Sequence, residues 1–202
     1  SIGGTRLALD ELDDGPFAHY RVEGIMRLNK NHAVRGLYAP LDIKVTGRPT
    51  RAIIFDGKTF NDTEDLTVNY RFNSYRLTYF YGFLGFGEDQ INLGITLKIR
   101  DAETKFSQGA TVESYSNVGF VPLFYFEYQK SLSSSWLFNF NVDAATASQG
   151  RAVDAALKLR RKFYDSSSFG FGFRTLEGGA NNDKVYTFSW FNYAVLDITI
   201  GF

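Results

Sequence analysis

The chain has 202 residues, with 22 lysines and arginines balancing 22 aspartates and glutamates, so it lacks the cationic excess that nucleic acid rewards and no nucleic-acid partner is expected. Cysteine is absent, which excludes a disulfide framework and thiolate metal sites. Aromatic residues make 17% of the chain while mean hydropathy is -0.20, a pairing that points to aromatic surface, and no segment approaches the ~18 consecutive apolar residues of a membrane-spanning helix.

The length reads as one domain, residues 1–202. No charged and apolar leader is visible at Ser1, so a secreted chain would have its signal peptide already removed. Residues 1–16 read as an extracellular segment or a partial strand, with Gly4 to Asp10 a candidate for a short one. From there a period of two dominates, the period of a strand with two different faces. Strands are predicted near 17–28, 32–46, 65–84, 90–106, 112–130, 135–147, 151–163, 168–177 and 185–202.

In the first, Tyr20, Val22 and Met26 oppose Arg21, Glu23 and Arg27, which argues that it joins the wall. Between the second and third, Ile53-Ile54-Phe55 and Thr59-Phe60 flank Asp56-Gly57, a hairpin signal inside a long connection. In the third, the apolar face switches at Phe72-Asn73-Ser74-Tyr75 from Val68, Tyr70 and Phe72 to Tyr75, Leu77, Tyr79 and Tyr81. A β-bulge there would swap the faces; the simpler reading is that Leu66 to Asn73 stands above the membrane, where facing is unconstrained.

The fourth is the clearest: Ile91, Leu93, Ile95, Leu97 and Ile99 alternate with Asn92, Gly94, Thr96, Lys98 and Arg100. Its length suits a tilted strand crossing a bilayer. Trp136, Phe138, Phe140 and Val142 oppose Asn139, Asn141 and Asp143; Val153, Ala155, Leu157 and Leu159 oppose Asp154, Lys158 and Arg160. Phe169, Phe171 and Phe173 alternate with Gly170, Gly172 and Arg174. The last strand sets Tyr186, Phe188, Trp190, Ala194, Leu196, Ile198, Ile200 and Phe202 against Thr187, Ser189, Tyr193, Asp197, Thr199 and Gly201.

Short connections (Asn29 to Asn31, Gly85 to Asp89, Ser131 to Ser134, Tyr164 to Ser167) alternate with longer ones (Gly47 to Glu64, Ser107 to Ser116, Gly178 to Asp183), the link at Ser148 to Gly150 being the exception. That asymmetry is expected of an outer-membrane barrel with its short turns in the periplasm.

The C-terminal Ile198-Thr199-Ile200-Gly201-Phe202 resembles the closing strand of Gram-negative outer-membrane β-barrel proteins, in which the terminal Phe is the signal read by the assembly machinery. Leu37-Tyr38-Ala39-Pro40-Leu41, Asn73 to Tyr79 and Arg174 to Gly179 are similar to stretches in a group of such barrels without assigned activity. The resemblance implies an all-β, antiparallel, up-and-down transmembrane barrel, integral in the outer membrane, in contact with its lipids including lipopolysaccharide. Single-chain bacterial barrels have even strand numbers. Nine visible strands therefore predict ten, one short or missing at the N-terminus, with eight the alternative if 17–28 stays out of the wall.

Alternation does not distinguish this barrel from a soluble lipocalin-like one, which would turn its apolar face inward. If the polar face is luminal, it gathers His19, Arg21, Glu23, Arg27, Asp42, Lys44, Arg76, Lys98, Arg100, Glu127, Asp143, Asp154, Lys158, Arg160, Arg174 and Asp197. Charges of both signs persist in such a place when paired, so the set is either an ion-paired plug or the selectivity surface of a narrow pore or binding barrel for a small polar or anionic solute.

Catalysis has little to stand on. There are two histidines; His19 is the one candidate for an outer-leaflet lipid A-type modification, and it lacks the Phe-x-His-x-Ser arrangement of the lipid A deacylases. No enzyme, cofactor or metal site is expected; Glu177, Asn181, Asn182 and Asp183 have the oxygen-rich composition of any exposed turn.

Overall fold

A computed structural model describes residues 3–13, 15–147, 150–164, 166–181 and 186–201. The strands are β1 (Val22–Arg27), β2 (His32–Ala39), β3 (Asp42–Gly47), β4 (Ile53–Phe55), β5 (Lys58–Phe60), β6 (Leu66–Gly82), β7 (Gln90–Gln108), β8 (Thr111–Ser131), β9 (Trp136–Ala147), β10 (Gly150–Tyr164), β11 (Ser167–Asn181) and β12 (Tyr186–Thr199). The main sheet runs β1-β2-β6-β7-β8-β9-β10-β11-β12, every pair antiparallel, and curls into a half-barrel with nine wall positions. The predicted all-β, antiparallel, up-and-down architecture and the nine visible strands are therefore present, and 17–28 joins the wall as the shorter β1.

The predicted strand 32–46 is two strands. Pro40 has no N–H to donate to a ladder, and the chain breaks there. β2 pairs with Ser74 to Tyr81 of β6, and β3 with the same strand further up, from Leu66 to Arg71. β6 is thus a spine shared by both.

No bulge lies at Phe72 to Tyr75. The β6–β7 register is unbroken from Thr67↔Ser107 to Gly82↔Asn92, so even-numbered β6 residues face inward throughout. The interior itself changes chemistry. Leu66, Val68, Tyr70 and Phe72 enter an apolar cluster with Leu41, Ile43, Val45, Ile53, Phe60 and Phe106, whereas Ser74, Arg76 and Thr78 line a polar zone below it.

The apolar cluster is a cap. The β4–β5 hairpin turns at Asp56-Gly57, both with positive φ (46° and 81°), as the predicted DG signal requires. Leu7, Leu9 and Leu12 pack beside it, and the Thr5 N–H donates to the Ile54 carbonyl. Gly4 to Asp10 therefore belongs to this cap and forms no wall strand.

Two expected loops are also strand. Ser107 to Ser116 shrinks to a two-residue turn at Gly109-Ala110, with Gly109 at φ 54° where a side chain is disfavoured. β7 and β8 consequently project beyond the wall: β8 pairs with β9 only from Phe124 downward. β11 continues to Asn181, so Gly178 to Asn181 is strand, while Asn182 and Asp183 lie outside the described residues.

Along the lower wall the alternation points apolar side chains outward. Leu97 is 61% exposed and Phe120 79%, with Tyr75, Leu77, Tyr79, Ile95, Phe124, Phe171, Trp190, Leu196 and Ile198 around them. The band follows β7 from Ile91 to Ile99, about 26 Å along the strand at ~3.3 Å per residue. Above it the outer face turns charged, with Asp42, Lys44, Arg71, Asp101 and Glu103. Asp42 and Lys44, expected in the lumen, are exposed on this outer face, because β3 places Ile43 and Val45 inward.

Candidate functional site in the barrel interior

Two carboxylates organise the interior. Asp143 on β9 accepts from Arg35 Nη2 at 2.9 and 2.8 Å, from Arg76 Nη1 at 2.9 Å and from Thr96 Oγ1 at 2.7 Å. Arg35 also donates to Thr78 Oγ1 (2.9 Å) and lies over the Tyr125 ring, its guanidinium carbon 4.1 Å from the centroid. With Thr96 donating to Asp143, the Thr78 hydroxyl is left to donate to Thr96 at 2.7 Å.

Asp154 on β10 is gripped by the fork of Arg174, Nε to Oδ1 at 2.6 Å and Nη2 to Oδ2 at 2.5 Å. Arg76 Nη2 reaches the same carboxylate at 2.5 Å and Arg21 Nη1 at 3.5 Å. Arg76 therefore bridges the two carboxylates, and its Nε donates to Ser74. Arg35, Arg76, Asp143, Asp154 and Arg174 are all buried. Planar guanidinium forks suit this task, since one side chain can satisfy two carboxylates at fixed angles.

Satellite pairs extend the lattice. Asp197 on β12 accepts from Arg160 Nε and Nη2 at 3.1 and 2.9 Å, with Lys158 at 3.7 Å. Gly170 makes room for that pair: a Cβ there would sit 2.0 Å from Asp197 Oδ1. Glu23 meets Arg21 and Arg35, and Glu127 accepts from Asn92, Tyr125 and Asn139 at 2.8 to 2.9 Å. Below lie Ala33, Phe80 and Tyr125 with Phe86, and Arg27 stands over the Phe86 ring at 5.4 Å while remaining exposed on β1.

Apart from Asp42 and Lys44, the predicted luminal residues share the inward face, and Arg35, which joins them there, was not predicted. It shares a face with Ala33, Leu37 and Ala39, which reads as an apolar stripe. Its signal was the opposite face, where Val34 and Tyr38 make an inward arginine the consistent choice.

Lys98 and Arg100 differ from the rest. Lys98 is 3% exposed, and among the described residues it has no ion pair or hydrogen bond; its ammonium faces the Phe72 ring at 4.8 Å. Arg100 donates to Asn117 at 2.6 Å, and its buried Nε has no partner. Among the described residues, eight cations (Arg21, Arg35, Arg76, Lys98, Arg100, Lys158, Arg160, Arg174) face five carboxylates (Glu23, Glu127, Asp143, Asp154, Asp197) in the interior, and Arg27 shares their face at the exposed lower end of β1.

His19 lies beside the rim of the lattice. Its Nδ1 is 2.7 Å from the Pro40 carbonyl and its ring packs on Tyr193. Neither contact supplies a hydroxyl nucleophile or an orienting acid. Among the described residues no group of three or more His, Cys, Asp or Glu could hold a metal ion. Glu177 pairs with Arg151, and Phe202 lies outside the described residues.

Nothing known matches. Comparison of the chain with protein-family models, curated proteins and solved structures finds no similar family, protein or fold, so the interior must be read on its own chemistry.

Proposed function

We propose that the protein is an integral outer-membrane β-barrel whose lumen is closed by its ion-pair lattice, serving as a structural or interaction barrel. One observation carries this reading: the wall inverts the usual burial, with Arg35 and Asp143 at 0% and 1% exposure inside and Phe120 and Leu97 outside. In water an apolar belt of that extent is a liability, whereas a bilayer rewards it and leaves the charges to the lumen. Aromatic residues near the strand ends, Tyr79, Tyr81, Phe83 and Trp136 at the short-turn end and Tyr75 and Trp190 toward the other, suit the interfacial girdles of such barrels.

Under this reading the partners are outer-membrane lipids, including lipopolysaccharide, and the assembly machinery that would read the closing strand. Closure follows from the span of the lattice. Arg35–Asp143, Arg76–Asp154 and Arg21–Asp154 link strands far apart in the wall, leaving the central zone occupied by side chains. Purified protein in a planar bilayer is expected to be silent, and discrete ion-selective openings by a correctly folded preparation would sink the closed barrel.

A second reading, a narrow binding barrel or pathway for a small anionic solute, is favoured by Lys98 and Arg100, which pair with no carboxylate among the described residues. It predicts anion-selective openings that weaken in Lys98→Met.

A further inference from the structure

The wall has a seam. β1 and β12 end the sheet, and no backbone pairing joins them among the described residues. Both run the same way, from the capped end to the short-turn end, because β1 leads into the 28–31 turn and Thr199 of β12 pairs with Ser168 at the start of β11. Direct closure would therefore be the one parallel pair in an otherwise antiparallel wall.

The seam is also visible in the side chains. All six residues of β1 are exposed, on both faces, whereas the inward residues of β6 from Ser74 to Gly82 are buried. On β12 the Tyr193 hydroxyl and Asp197 Oδ1 are buried without a hydrogen-bond partner among the described residues. At the capped end His19 packs across the gap on Tyr193.

We propose that the seam receives a tenth strand, running from the short-turn end toward the cap and supplied by the same polypeptide ahead of Gly3. The inference rests on the bilayer reading, since unpaired edge N–H and C=O groups are intolerable in hydrocarbon. Direction and connection agree. An ascending strand makes both new pairings antiparallel and ends at the cap, where Thr5 binds Ile54 and Leu7 and Leu9 pack. About 9–11 residues suffice to cross, with apolar side chains outward beside Met26, Leu196 and Ile198 and hydrogen-bonding groups inward opposite Tyr193 and Asp197.

Residues 1–202 contain no cysteine, so paired substitutions on β1 and β12 report on the two edges directly. In outer membranes containing the full-length protein, Val22→Cys or Met26→Cys is combined in turn with Ala194→Cys, Leu196→Cys or Ile198→Cys. An intervening strand holds the two edges about 9.6 Å apart, beyond the ~7 Å Cα limit for a disulfide. The expected result is no disulfide in any pair under oxidant, joining of at least one by a bis-maleimide of about 10 Å reach, and capture by a benzophenone side chain at Ile25 of a peptide from the same polypeptide ahead of Gly3. A disulfide in a membrane-resident, heat-modifiable barrel overturns the tenth strand alone, as does a seam that neither cross-linker joins or one that captures another protein. Absence from the membrane fraction in these same samples would instead overturn the bilayer reading.

Discussion

Asp143 accepts from two arginines and a threonine while buried, so its value is best seen by removing it. Breaking a buried pair leaves an uncompensated charge, a cost of about 3–5 kcal/mol. Asp143→Ala leaves Arg35 with Thr78 and only a long 3.8 Å contact to Glu23, while Arg76 keeps Asp154, and a loss of that size is expected in denaturant unfolding from lipid vesicles. A midpoint equal to the parent's would mean the lattice contributes nothing. At this scale the sequence was informative for charges whose neighbours two positions away are also polar, such as Asn139, Asn141 and Asp143. For Arg35, flanked on its face by Ala33 and Leu37, the one sign lay on the opposite face, at Val34 and Tyr38. The sequence was silent on partners: Arg21 finds Asp154 at a separation of 133 residues, which no local pattern encodes.

The elements at the short-turn end are tied by acid–base contacts. Glu88 is held below the usual carboxylate range by its hydrogen bond from Lys162, helped by the Ser131 hydroxyl. Asp89 is likewise lowered, by Lys130 and then by the Ser131 N–H. Both carboxylates have folded values below their unfolded ones. Their stabilisation is therefore complete above the ordinary range near pH 4 and is lost as pH falls through the lowered values. Amide protection relative to the intrinsic exchange rate in residues 83–89 and 131–135 is expected to fall below about pH 4, and to do so in Glu88→Gln already at neutral pH. Unchanged protection at both would show that these turns hold without the ion pairs. The hairpin at Asp56-Gly57 was legible because its turn chemistry is local. The split of 32–46 had a local sign in Pro40, but pairing of both halves with one long β6 depended on strand partners.

For the whole molecule the decisive question is which medium meets the apolar belt. Leu97 sits two residues from the centre of the Ile91-to-Ile99 stretch, outward and 61% exposed. In a bilayer, Leu97→Arg should cost about 2–4 kcal/mol, read as a lowered transition in vesicle unfolding and loss of heat-modifiable migration. On a water-facing surface the same change stays within about 0.5 kcal/mol, so a neutral result would favour the soluble barrel. The cap above the belt follows ordinary burial, apolar inside and charged outside, and the molecule thus carries two opposite patterns stacked along shared strands.

By itself the sequence determined the period, the nine visible strands and which side chains share a face, because alternation is a property of extended backbone and needs no partner. The cap, the open seam and the ion lattice were decided by tertiary structure. Each depends on how the sheet curls and which distant strands it brings together, and the same alternating strand serves equally well with either face inward. The β6 strand shows the reason most plainly: one unbroken run of inward residues is apolar from Leu66 to Phe72 and polar from Ser74 to Thr78, and only the packing of the cap says where the interior changes.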